Sequence, residues 1–255
     1  MMMIVLSPAK SMNFEAQQLV NTSSQPLYIK QAASIVEVLQ RFSAAQLAEL
    51  MSVSNSLATL NYERYQTWSP APEVSKQAIL AFDGDVYDGL DAGSLPAATL
   101  LEAQEKVRIL SGLYGILRPL DLIQPHRLEM GTRLAIGNYP NLYGFWKDKI
   151  TPALEAAMKE SGSQVLVNLA SEEYFKSIDT RAIDMQLITP EFRDLKNGRY
   201  KMISFYAKRA RGLMTRFVLE NHIQDPEDLK AFDREGYLFN PRLSSPAKPV
   251  FTRDK

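Results

Sequence analysis

The sequence predicts an α+β fold, a single mixed domain over residues 1–255 with a helical insertion near its N-terminus. Three observations lead there. Residues 28–68 follow helical periodicity and contain neither Pro nor Gly. Short apolar runs at 3–6, 78–82 and 165–169, with an Asn197-Gly198 pair, signal strands and a hairpin. Strands and helices are mixed without regular alternation, and no fixed-period repeat is present, so the class is α+β, with an irregular α/β arrangement as the alternative.

The elements are taken in chain order. Residues 3–6 read as a first strand, short and without a basic leader, so a signal peptide is not expected. Ile35, Val38, Leu39 and Phe42 form one helical stripe. Ser43 with Gln46 matches a capping box for a second helix carrying Leu47, Leu50 and Met51. After 52–55, a third helix spans about 56–66, and Ser69-Pro70-Ala71-Pro72 closes the block. Residues 78–82 read as a buried strand running into an acidic loop at 83–89. A helix bearing Leu100, Leu101 and Val107 leads to a strand near 109–110. Residues 142–160 form an amphipathic helix in which Pro152 marks a break. Residues 165–169 are a strand, and Ser171 after it suits an N-cap position. A hairpin over 192–206 precedes a basic helix from about 207 to 222, and Asp225-Pro226 restarts a short helix.

Composition narrows the chemistry. A chain of 255 residues with 45% hydrophobic content buries a sizeable core. No apolar run approaches the roughly 18 residues of a membrane helix. Cysteine is absent, which excludes disulfides, thiolate metal sites and a Cys nucleophile, and suits a cytoplasmic setting. With 29 basic and 29 acidic residues the net charge is zero. Any phosphate-binding surface must therefore arise from local segregation of charge.

That segregation occurs between 196 and 219. Lys196, Arg199, Lys201, Lys208, Arg209, Arg211 and Arg216 are interrupted by no acidic residue. On a helix, Lys208, Arg211 and Thr215 share a face with Arg209 and Arg216 beside it, an arrangement suited to phosphate oxygens. A solvated surface helix is the plain alternative, and the lack of counter-charges over that length argues against it. Smaller polar clusters sit at predicted strand ends, where functional groups concentrate: Ser7 and Lys10; Asp85 and Tyr87; Ser111, Tyr114, Arg118 and Asp121; Arg127 and Glu129; Asn168, Ser171, Glu173 and Lys176. Any one of these taken singly is better read as structural. Asp83, Asp85 and Asp88 fail the calcium-loop template, because Tyr87 and Asp88 occupy its fifth and sixth places and Ser94 its last. His126 with Glu129 gives only two metal ligands beside a proline, so no metal site is expected. No Walker loop, dinucleotide fingerprint or nucleophile elbow appears, and no cofactor is expected. The 43–68 block reads, by pattern alone, as an ordinary helical hairpin. Its 52–55 turn lacks the glycines with which helix-hairpin-helix modules approach a phosphate.

These clusters also carry a resemblance. Leu6-Ser7-Pro8-Ala9-Lys10, Phe82-Asp83-Gly84-Asp85-Val86-Tyr87, Leu110-Ser111-Gly112-Leu113-Tyr114-Gly115 with Arg118-Pro119-Leu120-Asp121, Arg127-Leu128-Glu129-Met130-Gly131, Asn168-Leu169-Ala170-Ser171-Glu172-Glu173-Tyr174-Phe175-Lys176 and Ser204-Phe205-Tyr206-Ala207-Lys208-Arg209-Ala210-Arg211-Gly212 resemble, in order, the motifs of the YaaA (UPF0246) peroxide-stress family. The resemblance covers residues 4 to about 240. It implies a protein that limits unincorporated intracellular iron and binds DNA in a positively charged cleft, with a helix-hairpin-helix element carried over to 43–66. The cleft maps onto Lys10, Lys176, Lys208, Arg209 and Arg211, with DNA, duplex or damaged, held through its phosphates. An enzyme acting on a nucleic-acid base or nucleotide is the alternative expectation. Convergence of Asp85, Tyr114, Arg118, Glu129 and Lys10 would favour it. Direct iron sequestration ranks last, because there are two histidines and no cysteine.

Overall fold

The computed structural model describes residues 1–15 and 19–254. Its centre is a five-stranded sheet begun by β1 (Met2–Leu6), every residue of which is buried. An all-apolar strand fits this position, because a strand flanked by parallel neighbours has both faces covered. The helical block comes next as α1 (Ile29–Leu39), α2 (Ala44–Met51) and α3 (Asn55–Thr67). The Ser43–Gln46 capping box is present in both directions, and Ser54 caps α3. Ser52, at φ 52°, takes the left-handed turn between α2 and α3 that a glycine usually supplies.

Residues 76–90 depart from the expected strand and loop. Lys76–Gln77 pairs with Leu122–Ile123, one helical turn covers Ala78–Ala81, and Phe82–Asp83 pairs with Ser11–Met12. Five apolar residues in a row are equally content on a buried turn of helix, so the run alone does not select a strand. The acidic stretch is helical as well: Gly84, at φ 147°, turns the chain into α4 (Asp85–Leu90). Asp85 and Asp88 lie in its first turn, where the helix dipole favours carboxylates.

Helix α5 (Ala97–Lys106) leads into β2 (Val107–Ser111) and β3 (Gly115–Leu117). Helix α6 (Leu142–Glu160) runs unbroken through Pro152, which removes only one backbone donor from a long, well-packed helix. Strand β4 (Val165–Leu169), the single turn α7 (Glu172–Phe175) and β5 (Gln186–Ile188) complete the first sheet. Its order is β3-β2-β1-β4-β5, antiparallel at β2–β3 and parallel elsewhere.

A second sheet begins with the hairpin β6 (Glu191–Lys196) and β7 (Arg199–Lys201). Asn197 and Gly198 both have positive φ, as a tight hairpin turn demands. The hairpin ends at Lys201, and the basic helix α8 (Ser204–Glu220) starts three residues earlier than its charges suggested. Strands β8 (Leu238–Phe239) and β9 (Val250–Arg253) close the order β7-β6-β9-β8. Phe192, Phe232, Tyr237 and Phe251 interlock beneath this sheet at ring separations of 5.5–5.8 Å. Helices and sheets together make an α+β structure around a continuous hydrophobic core. Among the described residues, no helix is long and apolar enough to cross a membrane.

Candidate functional site

Register places the site. Leu6 on β1 lies opposite Ile109 on β2 and Leu169 on β4, with all three strands running the same way. Their carboxyl ends therefore open on one edge of the sheet, the edge at which open parallel sheets accept ligands. A cleft of about 370 Å³ occupies it. Ser7, Ser111 and Ser171, which succeed or end the three strands, form its floor.

The floor is wired by hydrogen bonds. The Ser171 amide donates to Ser7 Oγ at 2.8 Å, and the two hydroxyls lie 3.2 Å apart. Ser111 Oγ accepts from the Tyr114 amide, and Tyr87 donates its hydroxyl to the Ser7 carbonyl at 3.1 Å. Ser171 occupies the expected N-cap position, but its hydroxyl faces Ser7 and makes no cap bond.

One wall is the segment His126–Arg127–Leu128–Glu129. Glu129 receives Arg127 on one carboxylate oxygen at 3.0 Å and Lys10 on the other at 2.9 Å. Arg127 Nε is buried without a hydrogen-bond partner among the described residues. From behind, Tyr65 on α3 donates to the Arg127 carbonyl, so the helical block supports this wall. His126 is buried edge-on to Tyr114 and Phe82. Burial pulls its pKa down to about 4, so it is neutral at pH 7. Its Nδ1 lies 2.8 Å from the Gln124 carbonyl, which can only accept; Nδ1 therefore carries the proton, and Nε2 is left as an acceptor.

The opposite wall is built from two helices in backbone contact. A Cβ on Gly212 of α8 would lie 1.8 Å from the Val86 carbonyl oxygen, and one on Gly89 of α4 would lie 2.1 Å from that of Arg209. Only glycine permits that approach. It sets Asp85 from α4 beside Lys208 and Arg211 from α8 at the cleft. Lys208 is exposed. Arg211 is largely withdrawn from water, which lowers its pKa. Neither has an ionic partner among the described residues.

The cleft thus gathers Ser7, Lys10, Asp83, Asp85, Ser111, His126, Arg127, Glu129, Ser171, Glu173, Lys208 and Arg211 from the residues singled out in the sequence. The remaining ones lie elsewhere. Tyr87 supports the floor from beneath, and Tyr114 is buried, bonded to Trp68 and the Gln124 amide. Arg118 clasps Asp121, which also accepts from Ser24. Asn168 accepts from the Ala170 amide. Lys176 is exposed beside Glu172, and Arg209 pairs with Glu235 at 2.7 Å, both outside the cleft lining. Arg216, expected on the basic face, is held by Asp91 and Glu220. The counter-charges missing from 196–219 are thus supplied by Asp91 and Glu235 from other segments and by Glu220 at the end of the same helix, and they quiet half of the helix's basic residues.

The cleft also includes Tyr174, which was not among the residues singled out. Glu173 accepts the Gly131 amide, and Tyr174 is kept protonated by burial beside Glu173 and Glu129. The signal for Tyr174 was its place directly after Glu173 in a strand-end motif. Among the described residues, no three His, Asp or Glu side chains are placed to hold a metal ion.

Comparison with known proteins decides the family. The sequence profile described as peroxide stress protein YaaA matches residues 2–243. The chain belongs to the YaaA peroxide-stress family. It is 51% identical to a UPF0246 protein of Hahella chejuensis over 99% of this chain and 100% of that one. Relatives from Dechloromonas aromatica and Ralstonia pickettii, also UPF0246 proteins, are each 53% identical over 99% of both chains. YaaA membership ties the chain to the oxidative-stress response.

Proposed function

We propose that the chain serves the peroxide response by binding DNA, duplex or damaged, through its phosphates at the cleft, with little sequence preference. Its cellular effect is to limit unincorporated iron and so spare DNA from hydroxyl-radical damage, as the family resemblance implies. Arg211 carries the reading. A guanidinium mostly removed from water and without a counter-ion is costly unless an anion joins it. Lys208 stands beside it, equally unpaired among the described residues, and Lys10 lies across the cleft on Glu129. Two such cations above a floor of serine hydroxyls suit phosphate oxygens. The α2–α3 hairpin supports this cleft from behind, and a phosphate contact at its 52–54 turn belongs to the same proposal.

Fluorescence anisotropy over a salt series tests it. The Lys208→Ala/Arg211→Ala variant is expected to bind labelled duplex more weakly, with its salt slope reduced by about two, since each phosphate contact contributes about 0.9. A variant with an unchanged slope would sink the site.

A second reading, an enzyme acting on a base or nucleotide, draws on a different observation. The Lys10–Glu129–Arg127 cluster and the neutral His126 facing the same cleft exceed what a phosphate clamp needs. Asp85, Glu129 and Lys10 converge there, whereas Tyr114 and Arg118 do not. Its test is mass spectrometry of oxidised nucleotides and oxidised oligonucleotides incubated with wild type and Glu129→Gln. A product formed only by wild type supports catalysis, and unchanged substrates in both remove it.

A further inference from the structure

Beside the cleft lies a feature that a phosphate clamp leaves unused. Met202, Phe205 and Tyr206 are 51%, 56% and 41% exposed, three large apolar side chains in water within five residues. They come directly after the β6–β7 hairpin, whose Lys196, Arg199 and Lys201 are exposed and have no ionic partner among the described residues. Lys196 stands directly opposite Arg199 in the ladder. Like charges in that position cost stability, and a polyanion relieves the cost. The aromatic pair is held in place. Arg253 lies 4.6 Å over the Tyr206 ring, and Phe205 meets Tyr206 edge-on at 5.4 Å. Phe205 and Lys208 are three residues apart on α8 and so are neighbours on its surface. The patch therefore runs into the cleft.

We propose that Phe205, braced by Tyr206 and flanked by Lys201 and Lys208, is a stacking platform for an unpaired base of single-stranded DNA. Its backbone would pass along the cations of the hairpin. The inference rests on the DNA reading above and narrows the partner, because a base stacked inside a duplex has no free π-face to offer. Aromatic rings set among cations are the ordinary means of holding single strands without reading their sequence. Charge selects this occupant over a second copy of the chain: two such faces would press Lys196, Arg199 and Lys201 against their equivalents.

The test compares a labelled oligothymidylate with a labelled duplex of equal length, using the full chain. Phe205→Ala is expected to weaken oligothymidylate binding roughly tenfold and leave duplex binding unchanged, while Phe205→Trp retains both. Equal loss on both DNAs, or no loss on either, overturns the platform. So does a wild-type dimer, seen by light scattering, that Phe205→Asp dissociates. If wild type binds neither DNA, the cleft reading fails and the platform with it. If duplex binding is present and lost in Lys208→Ala/Arg211→Ala while oligothymidylate ignores Phe205, only the platform fails.

Discussion

His126 shows how one side chain couples the cleft to stability. Folded, it is neutral down to about pH 4; unfolded, it takes up a proton near its ordinary value of 6.5. The unfolded state binds more protons between these values, so the contribution of His126 is full above pH 6.5 and is lost as pH falls toward 4. Between pH 7 and pH 5 the loss amounts to about 2 kcal/mol. Urea midpoints at the two pH values are expected to differ accordingly for wild type, and much less for His126→Gln. A variant with the same pH dependence would move the effect to another group. At this scale the sequence was only partly legible. Ser7 and Ser171 stood out because they come within two residues of the ends of apolar strands. Tyr114 and Arg118 looked equally available, but their partners, Trp68, Gln124 and Asp121, satisfy them within the fold. Nothing in a local motif reveals that a polar group is already engaged.

Between elements, the α4–α8 contact decides the shape of the cleft. A methyl group at position 212 would overlap the Val86 carbonyl, and the obstacle is backbone that no rotamer change can move aside. Gly212→Ala gains helix propensity of about 1 kcal/mol yet is expected to destabilise the protein by roughly 2 kcal/mol net, since overpacking of this kind typically costs 1–3 kcal/mol or more. Thermal denaturation reads the stability, and a parallel loss of DNA affinity would report the displacement of Lys208 and Arg211. Helix α4 was also the least legible element. An acidic stretch holding two glycines reads as a loop, and only the docking of Gly89 against the Arg209 carbonyl, with Gly212 against that of Val86, accounts for a short helix there. The long elements were legible for the converse reason. Strands β1 and β4 carry a full local signal that burial reinforces. The span of α6 and the turn at Asn197-Gly198 were legible too, even though Pro152 does not break the one and the other's second strand ends at Lys201. Capping at Ser43 and Ser54 likewise needs only residues within one turn.

For the molecule as a whole, Arg253 is the tie between the second sheet and the cleft wall. It bonds Asp194 at 2.6–2.7 Å, lies 4.4 Å over Tyr237 and reaches Tyr206 on α8. Asp194 also accepts the Tyr237 hydroxyl, and both charged groups are buried. Removing one partner of such a pair strands the other, so Arg253→Ala is expected to cost roughly 3–5 kcal/mol in chemical denaturation. A loss below about 1 kcal/mol would show that the Tyr237 hydroxyl alone satisfies Asp194. No neighbouring motif pointed to this clamp, because its members come from positions 194, 206, 237 and 253.

The central strand has a further consequence, which concerns synthesis. Met2–Leu6, apolar on both faces, is synthesised well before its hydrogen-bonding partners, residues 107–109 and 165–169. At about 5–20 residues per second, the nearer partner emerges about 5–20 seconds later and the other later still. For that interval the nascent chain carries an unpaired, sticky strand, so the stretch on which the floor of the cleft depends is also one that chaperones have reason to hold.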